Sequence, residues 1–243
     1  MRASESSLRR SFRPAAVAAL LALGAGGLTG CKPNEEATTA ASPPLPALKE
    51  VKGKAQRGDA QAQEFVGEIY VEGKQATLNY PEAATWFRMA ADQGLAKAQY
   101  NLGTLYDAGQ GVPHDEAEAA KWYRKAADQG NTDAQYTLAG MYQMGRGVPM
   151  NVKEAIMWQT RAAELGDPLA RYNLAERYER GKNVTQDLVE AYKWHTLAAE
   201  RGLKDAASAR DRIGHALTSD QLADARKRVA EFKTQHPLPS PAK

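Results

Sequence analysis

Cysteine is almost missing from this chain: Cys31 is the only one among 243 residues, so no internal disulfide can form. A domain placed in an oxidising compartment without disulfides must be stable through packing alone. Histidine is scarce too. His114, His195, His215 and His236 share no metal-ligand spacing, and no second thiol is there to complete a site. There is no glycine-rich loop of the phosphate-cradling kind, and no nucleophile can be paired with a base. The sequence therefore offers no catalytic residue, no metal ligand set and no cofactor site. Long apolar runs are lacking: the stretch from Ala15 to Leu23 falls short of the ~20 residues that a membrane-crossing helix needs. A charge excess is lacking as well. The formal net charge is +3, and residues 1–30 already hold Arg2, Arg9, Arg10 and Arg13 against Glu5. The remainder is formally neutral with both signs interspersed, which gives no electrostatic footprint for a nucleic-acid partner.

What is present begins with a leader. The four arginines precede the apolar stretch, and Leu28-Thr29-Gly30-Cys31 follows it. The tetrad resembles a bacterial lipobox, in which the cysteine becomes the lipidated first residue after cleavage. That resemblance implies a signal peptide at 1–30, lipidation of Cys31, and attachment to the membrane through lipid rather than a polybasic face. Lys32 in place of Asp favours outer-membrane sorting by the same resemblance, and so an envelope protein facing the periplasm. Arg9-Arg10-Ser11-Phe12-Arg13 also resembles a twin-arginine export signal, although an ordinary basic leader is the simpler reading. Residues 31–50 then carry Pro33, Pro43, Pro44 and Pro46 among Ala and Thr, with no helical apolar stripe, and read as a disordered tether.

The four tryptophans, Trp86, Trp122, Trp158 and Trp194, lie 36 residues apart. A constant period of this size means stacked supersecondary units. Tyr70, Tyr106, Tyr142 and Tyr178 keep the same phase, as do Gly94, Gly130, Gly166 and Gly202, and the Ala pairs at 90/91, 126/127, 162/163 and 198/199. Within one unit, Ala98, Leu102, Leu105 and Tyr106 mark the apolar face of a first helix. Gly109-Gln110-Gly111 and Val112-Pro113 break it. Ala119, Trp122, Tyr123, Ala126 and Ala127 mark the stripe of a second helix. Each second helix opens with Asn or Asp followed three residues later by Glu: Asn79/Glu82, Asp115/Glu118, Asn151/Glu154 and Asp187/Glu190. The short side chain is expected to cap the helix while the Glu reaches back over it. Each unit is thus a helical hairpin, and stacking the hairpins buries the Trp and Ala stripes in a common core.

Ala98–Pro113 reads AQYNLGTLYDAGQGVP, and Ala119–Gly130 reads AAKWYRKAADQG. These strings resemble Sel1-like repeats, relatives of the tetratricopeptide repeat, and the likeness runs over roughly residues 58–202. It implies an all-α fold, a right-handed α-solenoid of helical hairpins, with units at 51–94, 95–130, 131–166 and 167–202. The first unit departs from the pattern, carrying Gln75-Ala76-Thr77 where the second has Gly-Val-Pro. Residues 203–236 read as C-terminal capping helices, one around Asp205–His215 and one opened by a Thr218-to-Gln221 capping box and running to about Gln235. Residues 237–243 read as a disordered tail.

By the same resemblance the chain binds a protein or peptide and is not an enzyme. Such arrays line their concave face with the first helix of each hairpin, which places Glu64, Glu68, Lys97, Tyr100, Thr104, Tyr136, Gln143, Tyr172 and Glu176 there, with Asp107 and Glu179 nearby. Tyr100, Tyr136 and Tyr172 would form a rigid amphipathic platform for a peptide. The competing reading packs these rings across the seams between hairpins. Asn101 and Asn173 serve either a ligand backbone or local helix-to-helix bonds. His195 follows a repeat Trp and is expected beside the core, partly exposed. The expected role is a non-enzymatic adaptor holding a partner in the periplasm. The alternative is a cell-wall binder or a hydrolase of cell-wall or β-lactam compounds. Relatives linked to that chemistry usually carry a disulfide per repeat, which this chain lacks. A purely structural envelope factor is a further rival.

Overall fold

Eleven helices and no strand occupy the residues that the computed structural model describes, 48–73 and 76–236. The leader, Cys31, the tether as far as Ala47 and the tail from Pro237 lie outside them, as do Lys74 and Gln75. After a short α1 (Leu48–Gln56) come four hairpins: α2 (Ala60–Glu72) with α3 (Tyr80–Asp92), α4 (Ala96–Ala108) with α5 (Glu116–Asp128), α6 (Thr132–Met144) with α7 (Val152–Glu164), and α8 (Pro168–Arg180) with α9 (Leu188–Ala199). Two more helices, α10 (Lys204–Ala216) and α11 (Ser219–Gln235), complete the row. The second helix of each hairpin packs on the first helix of the next, so the hairpins stack into an α-solenoid.

Local chemistry sets the helix ends. First helices stop at Gly73, Gly109, Gly145 and Gly181, all left-handed, with φ between 64° and 71°. Glycine reaches that region without a Cβ penalty. Second helices start at the expected caps, each Asn or Asp side chain accepting a backbone N–H of the first turn. The Glu of that motif behaves differently from the expectation. Among the described residues, reciprocal bonding occurs only between Thr218 and Gln221. Glu82 and Glu154 turn forward instead, accepting from Trp86 Nε1 at 3.0 Å and Trp158 Nε1 at 3.1 Å. Residues four apart share a helix face, and a buried indole N–H needs an acceptor. Glu118 pairs with Lys121 at 2.9 Å, and Trp122 Nε1 is left without a partner.

The core runs along the seams. All four tryptophans are buried, from 0% exposed at Trp158 to 9% at Trp86. Each packs backward: Trp122 of α5 lies with Ala83, Phe87 and Ala91 of α3 and Leu102 of α4, and Trp158 of α7 lies with Tyr123 and Ala127 of α5 and Leu138 of α6. Within a hairpin, ring and gap are matched. A Cβ on Gly67 would lie 2.5 Å from Phe87, and one on Gly103 would lie 2.9 Å from Tyr123. Where the second helix carries the non-phenyl Gln159 and His195, the first helix carries Ala139 and Ala175 in the same register. Gly147 marks a different closeness. Its φ is 63° and a Cβ there would meet the Glu116 carbonyl oxygen at 2.1 Å, so the α6–α7 turn seats directly on the start of α5.

The two ends are finished differently. The tether was expected to reach residue 50, but α1 already starts at Leu48. Lys52, Ala55 and Gly58 stand one period before Arg88, Ala91 and Gly94, so α1 is the second helix of an incomplete hairpin. Val51 and Ala55 supply the apolar cover for Ala62, Val66 and Trp86. At the other end α11 packs on α9, with Phe232 edge-on to Trp194 at 5.2 Å and Val229 in the same cluster. Arg228 reaches Glu190 at 2.9 Å, and Lys233 reaches Glu200 at 2.5 Å. Leu197 is buried there, whereas Met89, Lys125 and Arg161 in the same register are exposed.

Candidate functional site

First helices carry the proposed binding row, and the structure ties much of that row into the seams. The rule is an offset of one period plus one residue. Asn101 Nδ2 donates to Glu64 Oε1 at 3.4 Å, and Asn173 Nδ2 donates to Tyr136 Oη at 3.1 Å. Tyr100 meets Thr137 in the same way, and its ring lies 5.5 Å from that of Tyr123. Tyr123 Oη donates to Thr104 Oγ1 at 3.3 Å, and Thr104 Oγ1 donates back to the Tyr100 carbonyl at 3.1 Å. Tyr100 and Tyr136 are therefore half-buried seam residues, and burial raises the Tyr100 phenol above its ordinary value. Asn101 and Asn173 make helix-to-helix bonds. Tyr172 stands apart: position 209, where its rung partner would sit, is Ala, and its ring lies edge-on to His195 at 5.2 Å.

At the N-terminal end, Lys97 bridges two carboxylates, lying 2.9 Å from Glu64 and 2.7 Å from Glu68. Glu64 is buried. Desolvation pushes its carboxyl up to about 7, with Glu68 adding to the rise and Lys97 opposing it. For Lys97, burial pulls the ammonium down but the two carboxylates outweigh it, and the net shift is upward. Asp107 is held by Arg146 at 2.6 Å, and the same Arg146 reaches Glu116 at 2.8 Å, clamping the third hairpin to the second. Glu176 pairs with Arg180 at 2.8 Å, and Glu179 pairs with Arg212 at 2.6 Å.

A glutamine ladder runs behind this row. Gln63, Gln99 and Gln135 are buried, and each donates Nε2 to a carbonyl at the end of the preceding second helix: Ala55, Ala91 and Ala127. Gln93 and Gln129 donate in turn to Gln63 Oε1 and Gln99 Oε1, both at 2.7 Å. The third unit has Leu165 at that place, so Gln135 Oε1 is buried without a partner. The fourth unit replaces the ladder glutamine with Arg171, 1% exposed, which donates to Ala163 O at 2.8 Å and Leu197 O at 3.1 Å. Its charge rests on the negative ends of α7 and α9. Burial, followed by Arg201, lowers the Arg171 guanidinium to about 10.

Sequence reasoning missed a second buried cation. Arg177 stands where the other units have Ile69, Leu105, Met141 and Ile213, and it is 7% exposed. It donates Nε to Gln159 Oε1 at 2.6 Å and Nη2 to Gln143 Oε1. That break in an apolar register is visible in the aligned units and was the available signal. His195 differs from the expectation as well, being fully buried rather than partly exposed. Glu179 Oε2 lies 3.6 Å from its Nε2, and neither ring nitrogen has a hydrogen-bond partner. Burial lowers its pKa, with Glu179 opposing. Among the described residues no group of His, Cys, Asp and Glu could hold a metal ion, and no helix is long and apolar enough to cross a membrane.

Stacked antiparallel helical hairpins with phase-locked Trp, Tyr and Gly define an α-solenoid repeat protein. The chain belongs to the Sel1 repeat family, whose repeat matches at residues 60–95, 96–131, 132–167 and 168–203. Proteins of this family typically mediate protein–protein interaction and are generally non-enzymatic scaffolds. Among solved structures, the chain is similar to c5321, a protective antigen of uropathogenic Escherichia coli strains with an SLR fold: 35% identity, TM-score 0.67, 76% of this chain covered. It spans only 40% of that antigen's length. It is also similar to a Sel1 repeat protein from Oxalobacter formigenes, at 32% identity and TM-score 0.60, covering 76% of this chain and 79% of that one. Comparison with curated proteins finds no match.

Proposed function

We propose that this chain is a non-enzymatic adaptor of a bacterial cell envelope, anchored through lipid on Cys31 in the outer membrane and facing the periplasm. Its first-helix face holds a protein or peptide partner. The supporting observation is the rigidity of that face: seam bonds at Glu64–Asn101 and Tyr136–Asn173 and the Arg146 clamp fix each hairpin against the next. A surface fixed in advance loses little freedom on binding. Thr104, Gln143, Tyr172 and Glu176 remain at least partly open along it. The leader and the lipobox-like tetrad support the envelope placement.

Chemical crosslinking in intact cells followed by mass spectrometry tests this reading. One recurrent protein partner is the expected result. Recovery of glycan fragments would move the chain to cell-wall binding, and recovery of neither would leave no adaptor to defend. Cys31→Ser should release the protein from the membrane fraction, and unchanged membrane retention would reject the lipid anchor.

A further inference from the structure

Arg177 has no counter-ion. Its two hydrogen-bond partners, Gln159 and Gln143, are neutral, and its position is apolar in the other units. Burial is the sole influence on its guanidinium and moves it downward, with no carboxylate near enough to compensate. The buried Gln159 Oε1 takes one of its bonds, but the place itself is filled without a cation in the preceding unit, where Met141 is 1% exposed. A buried cation without a partner is costly, and an apolar residue of similar size is commonly the more stable choice.

A second feature lies on the same face, three residues before Gln143. Gly140 stands in mid-helix α6 at the place of Glu68, Thr104, Glu176 and Arg212. A glycine inside a helix is destabilising relative to alanine. Gly67 and Gly103 are required by the rings of Phe87 and Tyr123, but a Cβ on Gly140 would meet nothing closer than Met144 Cε at 3.9 Å. The missing side chain serves no internal contact. It leaves a notch on the first-helix face between Tyr136 and Met144, with the Arg177–Gln143 pair at its side.

We propose that this notch is an acceptor for the carboxylate of an Asp or Glu side chain in a partner polypeptide, with Gln143 giving way and Arg177 supplying the charge. Charge complementarity selects the occupant: a cation without a carboxylate partner, whose Nη2 is released when Gln143 withdraws, fits an incoming carboxylate. A side-chain carboxylate is the proposed source, because first helices continue on both sides of the notch, α4 before it and α8 after it, so that a partner chain can run past it in either direction. The proposal rests on the adaptor reading and gives its partner a chemistry.

The test uses the whole mature chain and N-acetyl-glutamate amide at millimolar concentration, with the glutamine analogue as control. The readout is the side-chain NMR signals of Arg177 Nε and the Gln143 amide. A saturable shift with the glutamate probe alone is expected. It should weaken at least about tenfold in Arg177→Met, and also in Gly140→Gln, which fills the notch while leaving the cation in place. No shift in the wild-type chain, equal shifts with both probes, or unchanged binding in a folded Gly140→Gln chain would overturn the proposal. So would a response confined to a free C-terminal carboxylate. Crosslinking of Gly140→Gln in cells separates the two readings: unaltered capture of a protein partner sinks the notch and leaves the adaptor standing.

Discussion

Gln135 shows how one side chain can leave a neighbour unsatisfied. The two earlier ladder rungs close because Gln93 and Gln129 supply an N–H, and the third stays open because Leu165 cannot. Leu165 is also 49% exposed, so burial does not justify it. Leu165→Gln should therefore complete the rung and stabilise the chain by about 1 kcal/mol, the usual net worth of a hydrogen bond to a buried acceptor. Thermal denaturation reads the outcome as a rise in Tm. A fall would mean that Leu165 packs against a partner or that Gln135 Oε1 is already hydrated. The Tyr row makes a related point. Sequence places Tyr100 and Tyr136 on first helices, but helical phase alone does not say whether a ring leans outward or across the seam. Thr137 and Asn173, one period plus one residue away, decide it.

Hairpins were legible almost to the residue. Their signals are short-range: a capping Asn or Asp, a left-handed Gly, and an apolar stripe at helical spacing each act within a turn or two. The fate of the capping Glu was less legible, because two motifs overlap in one sequence. Glu82 can reach back to its cap or forward to Trp86, and the buried indole wins since its N–H has nowhere else to go. α1 was missed because its apolar content, Val51 and Ala55, is too thin to read without the hairpin it covers. The tryptophans carry the element-scale stability. Trp122 joins three helices, so Trp122→Ala should cost about 3–5 kcal/mol and loosen the contact between the first two hairpins. A melting curve matching wild type would show that the seam does not depend on it.

Across the whole row, pH acts with opposite sign at the two ends. Glu64 carries a pKa raised from 4.5 to about 7 in the folded chain, so its ionisation opposes folding. The N-terminal hairpin therefore gains stability as pH falls from 7 toward 4.5, by about 3 kcal/mol at most. His195 is buried and its pKa lies below the ordinary 6.5, so its contribution is full above 6.5 and is lost as pH falls through the folded value. The groups facing it are Tyr172 and Glu179 from α8 and Arg212 from α10, while the α11 cations pair with Glu190 and Glu200 instead. Hydrogen exchange at pH 7.5 and 5.5, corrected for intrinsic rates, should show slower opening of α2 and faster opening of α9 on acidification. Glu64→Gln should abolish the first change and leave the second. Parallel changes at both ends would contradict this assignment.

The fittings at the margins bear on how such a row could grow. α1 lies over the outer apolar face of the first hairpin, and α11 occupies the flank of α9 that Val229 and Phe232 keep dry. With α1 and α11 in place on these flanks, a further unit stacking there would have to displace them. Lengthening this protein would then demand insertion of a unit inside the series, between one tryptophan and the next, where every neighbour already presents a matching surface.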